Sequence, residues 1–180
     1  MKLIPLTRGL FAKVDAADFD WLNQWKWYAL SSGKGRFYAA RDAKKNGSKM
    51  TILMHRVILT NLGNLEGEHA NRNSLDNQQH NLRPATSSQN KANRTIAWGS
   101  NPYRGVYPRL RGGFDIKIAA AGRNIYLGCS YDAEEGAVLY DSAARILYKD
   151  FATLNFPTVN KTLPKELLEK IKTKTKINKI

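Results

Sequence analysis

Residues 67–82 read GEHANRNSLDNQQHNL, and the whole segment from Gly63 to Arg83 is turn-like in composition and too polar to bury. Segments on either side can bury. MTILMHRVILTNL, residues 50–62, is apolar and admits a helix from about Leu53, with His55 and Arg56 as its polar interruptions. SSQNKANR begins like a capped helix at Thr86 or Ser87. Two short extended pieces followed by that helix make a ββα hairpin. At 180 residues the chain has room for one ordinary domain or two small ones, so no single core need be large.

The flanks are punctuated differently. FAKVDAADFDWLNQWKWYALSSGKGRFYA bunches aromatics around a short acidic segment, which predicts a helix over 16–24 capped by Asp15. KWYAL and RFYAAR then read as a hairpin joined by SSGKG. Trp21, Trp25, Trp27 and Tyr28 are expected in the core rather than as a base-stacking platform. IAWGSNP, 96–102, reads as a linker. Beyond it YRGVYPRL, GFDIKIAAAG and RNIYLGCS are strand-like pieces separated by Gly turns, and DAEEGAVLYDSAARILYK is helical. Ala137, Val138, Tyr140, Ala144, Leu147 and Tyr148 form its apolar stripe. Three antiparallel strands on one amphipathic helix make a second unit. TLPKELLEKIKTKTKINKI is a Pro-started helix grading into a Lys-rich tail that is expected to fray, with a grip on DNA as its optional role. The fold class is therefore α+β, with a first region over 1–95, the linker, a sheet-and-helix domain over 103–157, and a basic tail over 158–180.

Lys and Arg total 29 against 15 Asp and Glu, and the net charge of +14 is spread over the whole length. Such an excess suits a polyanion, nucleic acid first, because neutralised phosphates release counterions. A merely solvated basic surface is the alternative. Cys129 is the only cysteine, which excludes an intrachain disulfide framework and a zinc site built on paired thiolates. No apolar run approaches the roughly 20 residues needed to cross a bilayer. MKLIPLTRGLF is too short and interrupted for a secretory signal. A soluble, cytosolic protein with no membrane partner and no small-molecule cofactor is expected.

The chemistry of the polar stretch turns on Glu68 and His69. Cleaving a phosphodiester takes a base for water and a cation for the leaving oxygen. Histidine, with an ordinary pKa of about 6.5, suits the first task. Mg²⁺, or Mn²⁺ in its place, suits the second and takes a few hard oxygen ligands. Glu68 and an Asn carbonyl provide such a set. Neighbours on an extended strand point to opposite faces, so the pair diverges unless the strand twists or ends there, which a turn-rich loop permits. A helix folding back over the hairpin could bring the Asn90 amide oxygen opposite Glu68. From the residues alone, this centre and a plain polar surface loop both stay open.

Residues 54–94, MHRVIL followed by EHANRNSLDNQQHNLRPATSSQNKANR, closely resemble the HNH motif of phage- and intron-encoded homing endonucleases, with its ββα-metal fold. The family pattern is an Asp-His pair, an Asn-rich loop, an NLR strand and a helix carrying QN. The resemblance implies His69 as general base, Glu68 and Asn90 as metal ligands, and Asn81 as the residue bracing loop and histidine. It puts His55 and Arg94 in supporting places. His80 matches no standard role. Two departures stand out: Glu68 replaces the usual Asp, and Asn71-Arg72 replaces the familiar Asn-Gly.

Tyr103 to Pro157 resembles an AP2 domain almost end to end, through YRGV, YLG, AEEGA, YDSAA and LNFP. That implies a three-stranded sheet laid in the DNA major groove. By position Arg104, Tyr107, Arg109, Arg111, Lys117 and Tyr126 match or neighbour the family's DNA-facing places. Lys117 and Tyr126 stand where plant members commonly have Glu and Trp, so no target sequence is carried over. Together the resemblances imply a phage- or mobile-element-encoded, Mg²⁺-dependent endonuclease on double-stranded DNA in a bacterial cytoplasm. One HNH centre implies a nick per monomer, or a dimer for both strands. The rival is a DNA-binding regulator or competitor in which Glu68 marks a decayed centre.

Overall fold

The computed structural model describes residues 1–33, 35–94 and 101–175. The expected linker at 96–102 lies, up to Ser100, outside the described residues, as do the last five residues of the expected tail. The chain divides into two compact units, Met1–Ser87 and Ser88–Ile180.

In the first unit β1 (Lys2–Pro5) and β2 (Phe11–Val14) form a hairpin, and α1 (Ala16–Leu22) follows. β3 (Tyr28–Ser31), β4 (Phe37–Lys45) and β5 (Ser48–Leu53) make an antiparallel meander, then come α2 (Met54–Ile58) and the hairpin β6 (Glu66–His69) and β7 (Leu82–Ala85). The alternation in β1 and β2 turns Ile4, Ala12 and Val14 inward, onto Leu22, Trp27, Ala29, Ala39 and Met54. Among the described tryptophans Trp27 is the buried one, its indole donating to the Leu22 carbonyl at 2.8 Å. Trp25 stays 39% exposed with the Arg41 guanidinium over its ring at 4.5 Å, a surface stack rather than core.

One local expectation changes and one strand is added. Asp15 occupies the N-cap position of α1, yet its side chain accepts from Gln78 Nε2 at 3.0 Å and the Gln79 N–H at 2.7 Å, so it ties a distant loop instead of capping. The apolar run MTIL belongs to β5. Asn46 and Gly47, at φ 50 and 78, close a two-residue hairpin that pairs Lys44 with Lys49 and Lys45 with Ser48. An Asn-Gly turn favours that geometry because both central residues need positive φ, and the helix starts at Met54, where it was expected, and lasts five residues.

In the second unit β8 (Val106–Pro108), β9 (Phe114–Ala120) and β10 (Arg123–Ser130) form a three-stranded antiparallel sheet in the order β10-β9-β8. α4 (Ala133–Tyr148) begins on a side-chain cap, Asp132 accepting from the Glu134 N–H at 2.7 Å. Its apolar stripe buries Tyr140, Ala143, Ala144 and Tyr148 with Ile116, Ile118, Ile125 and Leu127 of the sheet. Close approach is written into the glycines. A Cβ on Gly105 would lie 1.9 Å from Tyr140 Cδ2, and one on Gly136 would lie 3.1 Å from Ile116 Cγ1. Asp141, buried on α4, accepts from the Asn155 and Phe156 N–H groups at 2.9 and 2.7 Å, while Asn155 Oδ1 accepts from the Arg104 N–H at 2.7 Å. That relay clamps the YRGV start to the LNFP close.

α5 (Lys165–Thr175) does not fray over these residues. Ile171 is fully buried in the same core as Leu163, with Leu167 and Leu168 beside it. No described helix is long and apolar enough to cross a membrane.

Gly105→Ala is expected to destabilise this unit by about 3 kcal/mol or more, since the Tyr140 ring must move and φ is +79. Gly112→Ala, at φ +87 with nothing within 4 Å, should cost only about 1 kcal/mol. Urea unfolding of the two variants checks the difference.

Candidate active site

β6 and β7 pair over Glu66↔Ala85 through His69↔Leu82, and the ladder gains one more bond, Ala70 N–H to the Asn81 carbonyl at 2.8 Å. Strand alternation splits the two central residues. Glu68 lies on the side of its cross-strand partner Arg83, and Gly67 and His69 lie on the other, against α2. A Cβ on Gly67 would stand 2.7 Å from His55 Cδ2, so the glycine of GEH is what lets His55 reach the strand. The His55 and His69 rings meet edge to face at 4.9 Å, and Tyr38 of β4 packs against both, at 5.6 and 6.0 Å.

Burial dominates the electrostatics. His69 is 6% exposed and His55 4%. Desolvation lowers the His69 pKa below its ordinary value, with the Asn77 contact and the Asp76 charge pulling the other way. His55 is driven down to about 3, by desolvation first and then by its neighbours His69 and Arg56. Both rings are therefore neutral at pH 7. His69 Nε2 stands 3.4 Å from Asn77 Oδ1. With that oxygen as acceptor, Nε2 carries the proton and the lone pair sits on Nδ1.

The loop between the strands is held by its own amides. Asn81 Oδ1 accepts from the Asn71 N–H at 2.9 Å and its Nδ2 donates to the Asp76 carbonyl at 2.7 Å. Asn71 Nδ2 donates to Asp76 Oδ2 at 2.8 Å, and Asn73 Oδ1 accepts from the Leu75 N–H at 3.1 Å. The loop is then pinned to the body of the unit: Asn77 N–H donates to the Lys13 carbonyl at 2.7 Å, and Ser74 Oγ donates to the Phe37 carbonyl. Arg72, standing where the family has Gly, takes φ 66, so the turn keeps its left-handed geometry with a side chain that rarely adopts it. His80 is exposed.

Glu68 is 4% exposed. Its Oε2 accepts from Arg83 Nε at 2.7 Å, while Oε1, equally buried, has no hydrogen-bond partner among the described residues. A buried carboxylate oxygen without a partner is costly, and a hard cation is the ligand that suits it. Arg83, Asn77 and Tyr38 were not singled out from the sequence. Arg83 could have been, since a tight β6–β7 pairing sets it across from Glu68; nothing in the sequence marks Tyr38. Asn90 lies on α3 (Ser87–Ala92), which begins at the boundary of the two units. Arg94 is exposed, and its carbonyl accepts from Arg104.

In the second unit the outward row of the sheet carries Tyr107, Lys117 and Tyr126, and Arg109 and Arg111 are exposed around the β8–β9 turn. Asp115 lies among them, 3.4 Å from Arg109 Nε and 3.0 Å from Lys117 Nζ. Lys170 of α5 sits 5.5 Å from the Tyr126 ring centroid. Arg104, another of the expected DNA-facing residues, is tied into this unit. Its guanidinium donates to the carbonyls of Lys91 and Ala92, both at 2.7 Å, and of Arg94, satisfying the end of α3.

Because His55 is buried neutral, the unfolded chain binds its proton first as pH falls. Its contribution to stability is complete above pH 6.5 and declines toward the folded value of about 3, by up to about 1.4 kcal/mol per pH unit. Urea midpoints between pH 7.5 and 4.5 should fall accordingly, and His55→Gln should flatten that fall. An unchanged slope would show that His55 is not buried neutral.

No family model matches the sequence. Over 161 residues the chain is 26% identical to a protein of Acanthamoeba polyphaga mimivirus described as an uncharacterized HNH endonuclease, a similarity covering 85% of this chain and 79% of that protein.

Proposed function

We propose that the chain is a metal-dependent DNA endonuclease of the HNH homing type, nicking one strand at a site addressed by the AP2-like sheet of its second unit. One observation carries the reading. The last two residues of β6 present a buried carboxylate with a partnerless oxygen on one side and a neutral, fixed imidazole on the other. The HNH description of the mimivirus relative and the charge of +14 support it.

His69 is the general base. Burial keeps it deprotonated, Asn77 contacts its ring, and its unprotonated nitrogen takes the proton from the attacking water. Asn81 keeps the loop in the shape that sets this ring. Glu68 would hold Mg²⁺ or Mn²⁺ through Oε1, with Arg83 fixing the other oxygen, and the Asn90 amide oxygen is the second ligand on the strength of its place in the motif. When bound, the cation supplies positive charge to the phosphate and the leaving oxygen. Tyr107, Arg109, Arg111, Lys117 and Tyr126 are the proposed groove and phosphate contacts of the sheet, on one chain with the nuclease centre so that binding by one raises the local concentration of the other.

The Glu68–Arg83 pair also favours a second reading. An Arg already neutralises this carboxylate, as it would in a chain that occupies DNA without cutting it.

Supercoiled plasmid incubated with Mg²⁺, with Mn²⁺ or with chelator separates the two. Nicking is expected to need metal, to fall about 100-fold or more in His69→Ala, and to lose its metal response in Glu68→Gln. Tight binding with no cleavage under either metal establishes the second reading instead, and nicking that survives His69→Ala removes that residue from the chemistry.

A further inference from the structure

β3 pairs with β4 only over Phe37–Ala40, while β4 and β5 stay paired out to Lys45↔Ser48. Past Ala40 the two strands therefore leave the sheet as a two-stranded ribbon. Arg41, stacked between the Trp25 and Trp27 rings at 4.5 and 5.7 Å, fixes its base. The ribbon's exposed outer half carries Lys44, Lys45 and Lys49 around the Asn46-Gly47 turn. Its one acid, Asp42, is already satisfied by Lys49 Nζ at 2.9 Å, Tyr28 OH at 3.0 Å and Thr51 Oγ1 at 3.4 Å. Lys44 and Lys45 have no ion pair among the described residues.

Register sets where this charge lies. Tyr38, Asp42 and Lys44 share one face of β4, and their cross-strand neighbours Thr51 and Lys49 share it too. Tyr38 is the residue packed on His55 and His69. The same face thus runs from the candidate base outward to Lys44 and Lys49, while Lys45 stands on the opposite face beside the turn. Six residues of strand cover about 20 Å, which along a duplex rising about 3.4 Å per base step would span about six base pairs.

We infer that the β4–β5 ribbon is a second DNA-contacting element, lying along the duplex on one flank of the cleavage point with Lys44, Lys45 and Lys49 on phosphates. Duplex grooves admit a two-stranded ribbon. The tip offers cations and small polar groups, so its part is to position the duplex and not to read it. This rests on the reading of the chain as a DNA-cleaving protein and adds a contact within the nuclease unit, separate from the sheet of the second unit.

The test is binding of the full chain to a random-sequence 30-base-pair duplex (about three helical turns) in chelator, followed by fluorescence anisotropy over a salt series. The slope of log affinity against log salt should become shallower by about 0.9 in each of Lys44→Gln and Lys45→Gln, and by less than a third such step when Lys49→Gln, whose charge Asp42 shares, is added. Replacing the three by Arg should leave the slope as it was. Lysines at a sheet edge also discourage strand-to-strand aggregation; an unchanged slope in the single tip variants, with aggregation of the triple variant, would assign them that role alone and overturn the inference. Cleavage is not read, so nicking can fail while the slope still changes, and the slope can stay fixed while nicking stands. Wild-type chain that does not bind duplex at all overturns both.

Discussion

The first unit depends on how residues 70–81 satisfy their backbone. β6 and β7 are four residues each, too short a hairpin to impose order on the loop between them. Side-chain amides take the place of a ladder: Asn71, Asn73 and Asn81 close the loop on itself, and Asp15, Lys13 and Phe37 receive it from outside. Every buried backbone group so paired avoids a cost of about 1–3 kcal/mol, and the same bonds hold the end of β6 where His69 sits. Remove the asparagines and the histidine loses its frame before it loses its chemistry.

The two faces of β6 then impose opposite demands. On the His69 side, Gly67 admits His55, and the packed rings exclude water, which keeps both imidazoles neutral. On the Glu68 side a carboxylate is buried with one oxygen on Arg83 and the other unmet. A fold seeking only stability would replace that pair with apolar residues. Keeping a half-satisfied carboxylate adjacent in sequence to a desolvated imidazole, beside a loop tied down by many bonds, is a pattern that stability alone does not call for.

Much of this was legible in the sequence for reasons that can be named. The three strands and helix of the second unit follow from alternation, Gly turns and the Asp132 cap, and β3–β4 from two strand-like runs around SSGKG. β5 was hidden because MTIL is a short apolar run that strand and helix share; the Asn-Gly turn at 46–47 was the available signal. Asp15 looked like a cap because nothing local reveals a bond to a residue more than sixty positions away. The bonds from Arg104 to the carbonyls at the end of α3 were hidden for the same reason, since nothing local marks a partner ten or more positions away. The glutamate and histidine were visible as a pair, but their opposite facing, and Arg83 as the partner, needed the register.

The AP2-like motif words acquire a physical meaning that their likeness to a DNA-binding family does not supply. Gly105 is required by the Tyr140 ring, Gly136 by Ile116, and Asp141 and Asn155 by the clamp that joins the start of the domain to its close. Most of the words that make the resemblance specific are thus architectural. The side chains on the open face of the sheet, Tyr107, Lys117 and Tyr126, meet Asp115, Cys129 and neighbouring cations rather than the core. A small domain whose motif is fixed by packing can keep one fold while the outward face of its sheet changes. That separation explains how Lys117 and Tyr126 can differ from the plant residues without disturbing the core beneath them.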